Sequence, residues 1–227
     1  MIVRLSISLQ LVAALVGAAA HPQVPAPQRP PAATLTRPVS PSKPAGPDGF
    51  IQRWLLLEPI LVPGQLTEAA VRSAVEKDFP VTAAPLPNDG DTLKIGDSEL
   101  KWHAVDTTNY NVNLYHFAYA LNKPTTNVLF WAVTVVNAPR EMRNVRLAIG
   151  SNAASVWWVN GSEATALYND RQAVIDDGVS RRLTLMQGAN VIRAAIVNAG
   201  GATDFCARFL DENDRPITTL SAALTRR

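Results

Sequence analysis

Residues 145–152 read VRLAIGSN, residues 156–161 VWWVNG, residues 183–198 LTLMQGANVIRAAIVN and residues 205–216 FCARFLDENDRP. Each is a short run of branched and aromatic residues that ends in a turn signal. Such runs, too short for helices and regularly punctuated, mark an antiparallel β-sandwich. Asn160-Gly161 accepts positive φ at both positions, which predicts a tight type I′ turn after the tryptophans. Gln187 to Asn190 reads as a second hairpin loop.

Outward from this block the pattern continues. Strands are predicted at Phe50–Leu57, Thr92–Ile95, Glu99–Val105, Asn113–Ala120, Val128–Val136, Asn144–Ile149, Ser155–Val159, Arg181–Leu185, Val191–Val197 and Phe205–Leu210. Thr67 caps one short helix that runs to about Lys77, with Ala70, Val71, Ala74 and Val75 on one face. Pro80, Pro85, Pro87 and Asn88-Asp89-Gly90 form a loop, and Ser221–Arg227 reads as a frayed helical tail. The fold class is all-β: two antiparallel sheets over one core, with one short helix.

The order of these motifs resembles the galactose-binding-like jelly-roll modules attached to secreted carbohydrate-active enzymes such as acetylxylan esterases and glycoside hydrolases. The resemblance rests on Gly150-Ser151-Asn152, on Trp157-Trp158-Val159-Asn160-Gly161, on Gly188-Ala189-Asn190 followed by Val191 to Asn198, and on Phe205, Arg208, Asp211 and Pro216. It implies a jelly roll that holds a glycan rather than cutting one. It departs at one turn, where the family's paired acidic residues become Asn152 and Ala153 and its glycine becomes Ala154. A calcium-dependent site there loses both charges.

The ends divide the chain into residues 1–20, 21–48 and 49–227. Arg4, the apolar run Leu5–Val16 and Ala18-Ala19-Ala20 follow the plan of a secretory signal peptide. The run is shorter than the roughly 20 residues of a spanning helix, so the alternative of an uncleaved anchor is disfavoured. The expectation is a secreted or periplasmic protein with no stable membrane insertion after cleavage. Residues 21–48 hold nine of the chain's 17 prolines and read as a semi-rigid linker, the alternative being a disordered remnant. Charge is nearly balanced, at +2 overall, with no basic stripe, so nucleic acid is not an expected partner. The single cysteine, Cys206, reads as a small buried residue rather than a reactive thiol. With only three histidines in the chain, no zinc site, metal or cofactor is expected.

Catalytic patterns are weak. Gly96-Asp97-Ser98 resembles the start of some lipases and acetylesterases, but no Asp-x-x-His follows to supply a base, and a turn explains it. No Gly-x-Ser-x-Gly elbow is present. Asp176-Asp177-Gly178 offers adjacent acids, whereas glycosidases need two carboxyls facing each other across about 5–10 Å. Asn160-Gly161-Ser162 is formally a glycosylation acceptor, better explained by its turn.

Aromatic residues are the better candidates, because sugar rings stack on Trp and Tyr while hydroxyls meet polar neighbours. Trp157 and Trp158 must face opposite sides of a strand. The candidate ligand-binding residues are Trp102, Tyr110, Trp158, Tyr168, Asn169 and Arg171. The expected function is a non-catalytic carbohydrate-binding module with a polysaccharide or glycan as partner. The alternatives are a structural or protein-interaction sandwich with another secreted protein as partner, and an esterase accessory to acetylated-xylan hydrolysis.

Overall fold

The structure is a computed structural model that describes residues 35–78 and 85–226. The expected signal peptide, residues 21–34 of the expected linker, Pro80 of the expected loop and Arg227 lie outside the described residues. In chain order the elements are β1 (Leu35–Thr36), β2 (Ser42–Pro44), β3 (Arg53–Leu57), β4 (Ile60–Leu61), α1 (Glu68–Asp78), β5 (Thr92–Ile95), β6 (Ser98–Thr107), β7 (Val112–Asn113), α2 (Leu114–Ala120) and β8 (Val128–Ala138). They continue with β9 (Met142–Ser151), β10 (Ala154–Val159), β11 (Ser162–Leu167), β12 (Gly178–Val179), β13 (Leu183–Leu185), β14 (Gly188–Asn198), β15 (Asp204–Leu210) and β16 (Ser221–Ala223).

The larger sheet runs β1-β6-β3-β8-β14-β10-β11, with β2, β4, β5 and β16 paired off this path. The smaller runs β12-β9-β15-β7, with β13 also on β9. All the described pairings are antiparallel. The all-β sandwich read from the sequence is the fold.

The two sheets close over one core. Trp54, Phe130 and Trp157 enter it from the larger sheet, and Leu147, Phe205 and Phe209 from the smaller. Register makes space for the largest of these side chains. Trp157 lies opposite Ala194 on β14, and Ala194 lies opposite Ala132 on β8. Two small residues beside one indole leave room for it, as close packing requires. Trp54, Trp157 and Phe205 meet edge to face, with centroids 5.0 to 6.1 Å apart, each contact adding about 0.5–1.5 kcal/mol beyond area burial. Their indole N–H groups are satisfied: Trp54 Nε1 donates to the Ile51 carbonyl and Trp157 Nε1 to Ser155 Oγ, both at 3.0 Å.

The other face of the larger sheet is buried as well. Leu55, Trp131, Val156, Trp158 and Ala195 form a second apolar layer under Val71 and Val75 of α1 and beside Leu100 and Trp102. A sheet covered on both faces explains why RWLLL and VLFWAVTVVNA are buried almost throughout rather than at every second residue.

Four expectations are corrected. Residues Asn113–Ala120, read as a strand, form the end of β7 and then helix α2: Asn113 Oδ1 accepts the His116 N–H at 2.7 Å, and Leu114, Phe117 and Ala118 bury one face at helical spacing. The molecule thus has two helices among the described residues, not one. Gln187–Asn190 is no hairpin loop, because β13 pairs with β9 of the smaller sheet while β14 enters the larger. The Asn190 side chain fixes that corner through the Met186 N–H and carbonyl at 2.9 and 2.8 Å. The tail is not helical: β16 adds to β8.

The last concerns the proline-rich segment. Its residues 35–48 are docked on the domain, β1 against β6 and β2 against β16. Arg53, buried, reaches Ser40 through its carbonyl at 2.7 Å and Oγ at 3.2 Å.

Candidate functional site

A cleft of about 540 Å³ opens at the rim of the larger sheet, lined by β1 and β6 on one side and by α2 on the other. This is within the range of small-ligand sites. Alternation along β6 turns Lys101, His103 and Val105 toward it, while Trp102 points to the opposite side, into the second apolar layer. From α2 and its C-cap come His116 and Ala120, and Phe117 with the cap residue Leu121, each pair four residues apart. Leu35, Thr36 and Arg37 form the wall that β1 adds.

The turn Asn88-Asp89-Gly90 closes one end. Gly90 sits at φ +93, open to glycine and costly for other residues. The Asp91 carboxylate accepts the Asn88 N–H at 2.7 Å and holds the turn. Asp89 projects into the cleft: Oδ1 accepts the Ala104 N–H at 2.8 Å and Oδ2 pairs with Arg37 at 3.0 Å. Burial alone would raise its pKa, but the Ala104 and Arg37 hydrogen bonds outweigh that and hold it below the usual carboxylate value.

Behind the cleft wall lies Glu58, buried and doubly bound. His103 Nε2 is 3.2 Å from its Oε1, and Lys123 Nζ is 2.8 Å from its Oε2. Desolvation is the largest influence and pushes the pKa up; Lys123 and His103 together overcome it, and the net shift is downward. The pair fixes the His103 ring, which also meets Phe117 edge-on at 5.6 Å. The cleft therefore has an apolar floor with charged and imidazole groups around its lip. Beside it on α2, Tyr115 and Tyr119 stack nearly parallel at 6.0 Å, half-buried.

None of the six residues picked from the sequence lines this cleft. Trp102 and Trp158 are 3% and 8% exposed. Trp158 packs on Trp131 at 5.8 Å within the second layer, so neither offers a face to a sugar; this corrects the expectation of an exposed indole. Trp157 and Trp158 do face opposite ways. Tyr168 lies under the Arg72 guanidinium, 5.7 Å from its centroid, and Arg72 is held by Glu68 and Glu163. Asn169 is an exposed turn residue at φ +69 whose N–H donates to the Leu66 carbonyl. Arg171 is paired with Asp177. Among the described aromatics Tyr110 alone stands out, 45% exposed, tilted on Phe50 at 5.5 Å.

The other sequence candidates resolve into structure. Gly96-Asp97 is the two-residue turn between β5 and β6, with Ile95 facing Ser98. Asp176 pairs with Arg208. Asn160 and Gly161 take φ +51 and +84, as the predicted turn requires. The Asn160 side chain binds Asn190 and the Val191 N–H at 2.9 and 2.8 Å. Cys206 is buried, and burial, the largest influence, pushes its thiol up to about 12. Among the described residues no group of three or more His, Cys, Asp or Glu is gathered to hold a metal ion, and no helix is long and apolar enough to cross a membrane.

Sequence reasoning missed Arg37, Lys101, Glu58 and the Tyr115–Tyr119 stripe. Reading LYHFAYA as a helix puts both tyrosines on one side, and that signal was present in the spacing.

No protein-family model matches the chain, and no curated protein does. Among solved structures it is similar to the PA14 sugar-binding domain from an RTX adhesin (10% identity, 77% of this chain and 99% of that one, TM-score 0.47). It is similar to the PA14 domain of the MpAFP antifreeze protein (11% identity, 78% and 94%, TM-score 0.45). It is also similar to a β-glucosidase from Kluyveromyces marxianus in complex with glucose (12% identity, 70% and 17%, TM-score 0.39). Likenesses of this size say nothing about a ligand.

Proposed function

We propose that the chain is an exported, non-catalytic glycan-binding module and that the cleft between β6 and α2 is its site. One observation carries this reading: an apolar floor of Val105, Phe117 and Leu121 lies inside a lip of Arg37, Asp89, Lys101, His103 and His116. A sugar ring has an apolar face and a rim of hydroxyls, and this surface has the same two parts. The carboxylates at hand are engaged by the protein's own cations, Asp89 by Arg37 and Glu58 by Lys123, which favours holding over acid–base chemistry. The apolar run and alanine triplet of residues 5–20 support export.

Affinity electrophoresis of the full chain through gels of different polysaccharides tests it. Retardation by at least one glycan, lost in a Phe117→Ala variant that still melts cooperatively, is expected. Unchanged migration in all of them overturns the reading. A second reading, a protein-interaction module, is favoured by Val174 and Ile175, exposed at 56% and 44% in the loop after Arg171.

A further inference from the structure

We propose that the ligand of this cleft is an acidic saccharide, a chain of uronate units, and that Lys101 is the counter-ion of its carboxylate. The proposal rests on the glycan reading above and narrows it. It follows from which polar groups around the cleft are already taken. Asp89 has both oxygens occupied, one by the Ala104 N–H and one by Arg37. Glu58 has both oxygens occupied, one by His103 and one by Lys123. The carboxylates of Asp89 and Glu58 are therefore committed within the protein.

The positive side is not. Lys101 lines the cleft, stands exposed on β6, and has no carboxylate within ion-pair distance among the described residues. His116 lines the same cleft, with its Nδ1 turned away into the protein. Arg37 uses one guanidinium nitrogen on Asp89, through a pair whose arginine side chain is 86% exposed. Its remaining N–H groups suit a planar carboxylate. What the cleft leaves uncommitted is a lysine ammonium and guanidinium donors. A neutral sugar offers hydroxyls that use these groups one at a time. A uronate offers the same ring face to the apolar floor and adds a carboxylate where the unpaired cation stands.

The test uses the full chain and four polymers in affinity gels: polygalacturonate, its fully methyl-esterified form, neutral galactan and polyglutamate. Retardation is expected with polygalacturonate and is expected to fall at least about tenfold, as an apparent affinity, on methyl esterification. Lys101→Ala is expected to weaken polygalacturonate binding by about tenfold, with Lys101→Arg restoring most of it. Lys101 is exposed, so a thermal melt of each variant is expected to match the wild type. Equal retardation by the ester or by galactan, untouched by Lys101→Ala, overturns the acidic class and leaves the glycan reading standing. Equal retardation by polyglutamate overturns it as mere attraction between charges. Binding to none of these three sugar polymers overturns the acidic class, and the glycan reading falls with it only if the other polysaccharide gels are also without effect.

Discussion

Arg53 and Asp106 form a two-pronged ion pair across the β3–β6 pairing, with Nε to Oδ1 at 2.8 Å and Nη2 to Oδ2 at 2.9 Å. The arginine is 1% exposed. It spends its remaining nitrogen on the Ser40 carbonyl, so one guanidinium joins two strands to the proline-rich segment. Asp106→Ala leaves that charge buried without its partner. The expected loss is about 3–5 kcal/mol in denaturant unfolding, together with faster proteolysis within residues 35–48. A variant that unfolds at the wild-type midpoint contradicts this.

Glu58 sets an acid limit on stability. Its folded pKa lies below the ordinary 4.5: desolvation alone would raise it, and Lys123 and His103 reverse the sign. A depressed carboxyl contributes stability that is complete above its unfolded value and is lost as pH falls through the folded one. Glu58→Gln should therefore cost about 2 kcal/mol near neutrality. The gap between variant and wild type should close below the ordinary carboxylate range. Melting curves taken across that range check the sign, and a constant gap refutes it.

Asp204 works the other way. Burial, the dominant influence, raises its pKa, and the hydrogen bond from Asn111 offsets only part of that. A raised carboxyl favours the folded state at low pH and loses that contribution as pH rises through the folded pKa. Asp204→Asn is expected to raise the melting temperature near neutral pH, with the gain vanishing in acid. Lower stability of the variant at neutral pH is the contrary outcome.

Gly150 has no room for a side chain. A Cβ there would lie 2.2 Å from the Val174 carbonyl oxygen and 3.0 Å from Cys206 Sγ. The obstacle is backbone, so Gly150→Ala must lift the loop after Arg171 off the smaller sheet. The expected cost is about 1–3 kcal/mol, as for overpacking, with increased hydrogen exchange at residues 171–177. Unchanged exchange there is the result that rejects this.

Trp158 serves as a control for the site. Trp158→Ala removes a buried indole packed on Trp131 and should cost about 3–5 kcal/mol. The milder Trp158→Phe should leave glycan affinity unchanged in the same gels. Loss of binding in a folded Trp158→Phe protein would return the site to the second layer.

The strands were legible because their apolar runs are broader than a helical face and end at real turns. Asn160-Gly161 needed only its own two residues to be read. What stayed hidden depended on partners distant in sequence. The docking of residues 35–48 hangs on Arg53 finding Ser40, and local proline content says nothing of that contact. Trp102 and Trp158 looked like platforms because the sequence does not announce that α1 and β5 cover that side of the sheet. The cleft itself gathers Arg37, Asp89, Lys101 and His116 from four separate segments. His103 and His116 were noted, but their meeting around one cavity required α2, which seven residues of mixed periodicity disguised as a strand.

The larger sheet has packed layers on both of its faces. Variation aimed at new specificity therefore has little room on the broad surfaces, where each residue is wedged between neighbours. It has freedom along the margin, at the 88–91 turn and on the outward side of α2. A library randomised there would keep its melting behaviour while its preferences drift, and one randomised on β8 or β14 would yield mostly unfolded protein.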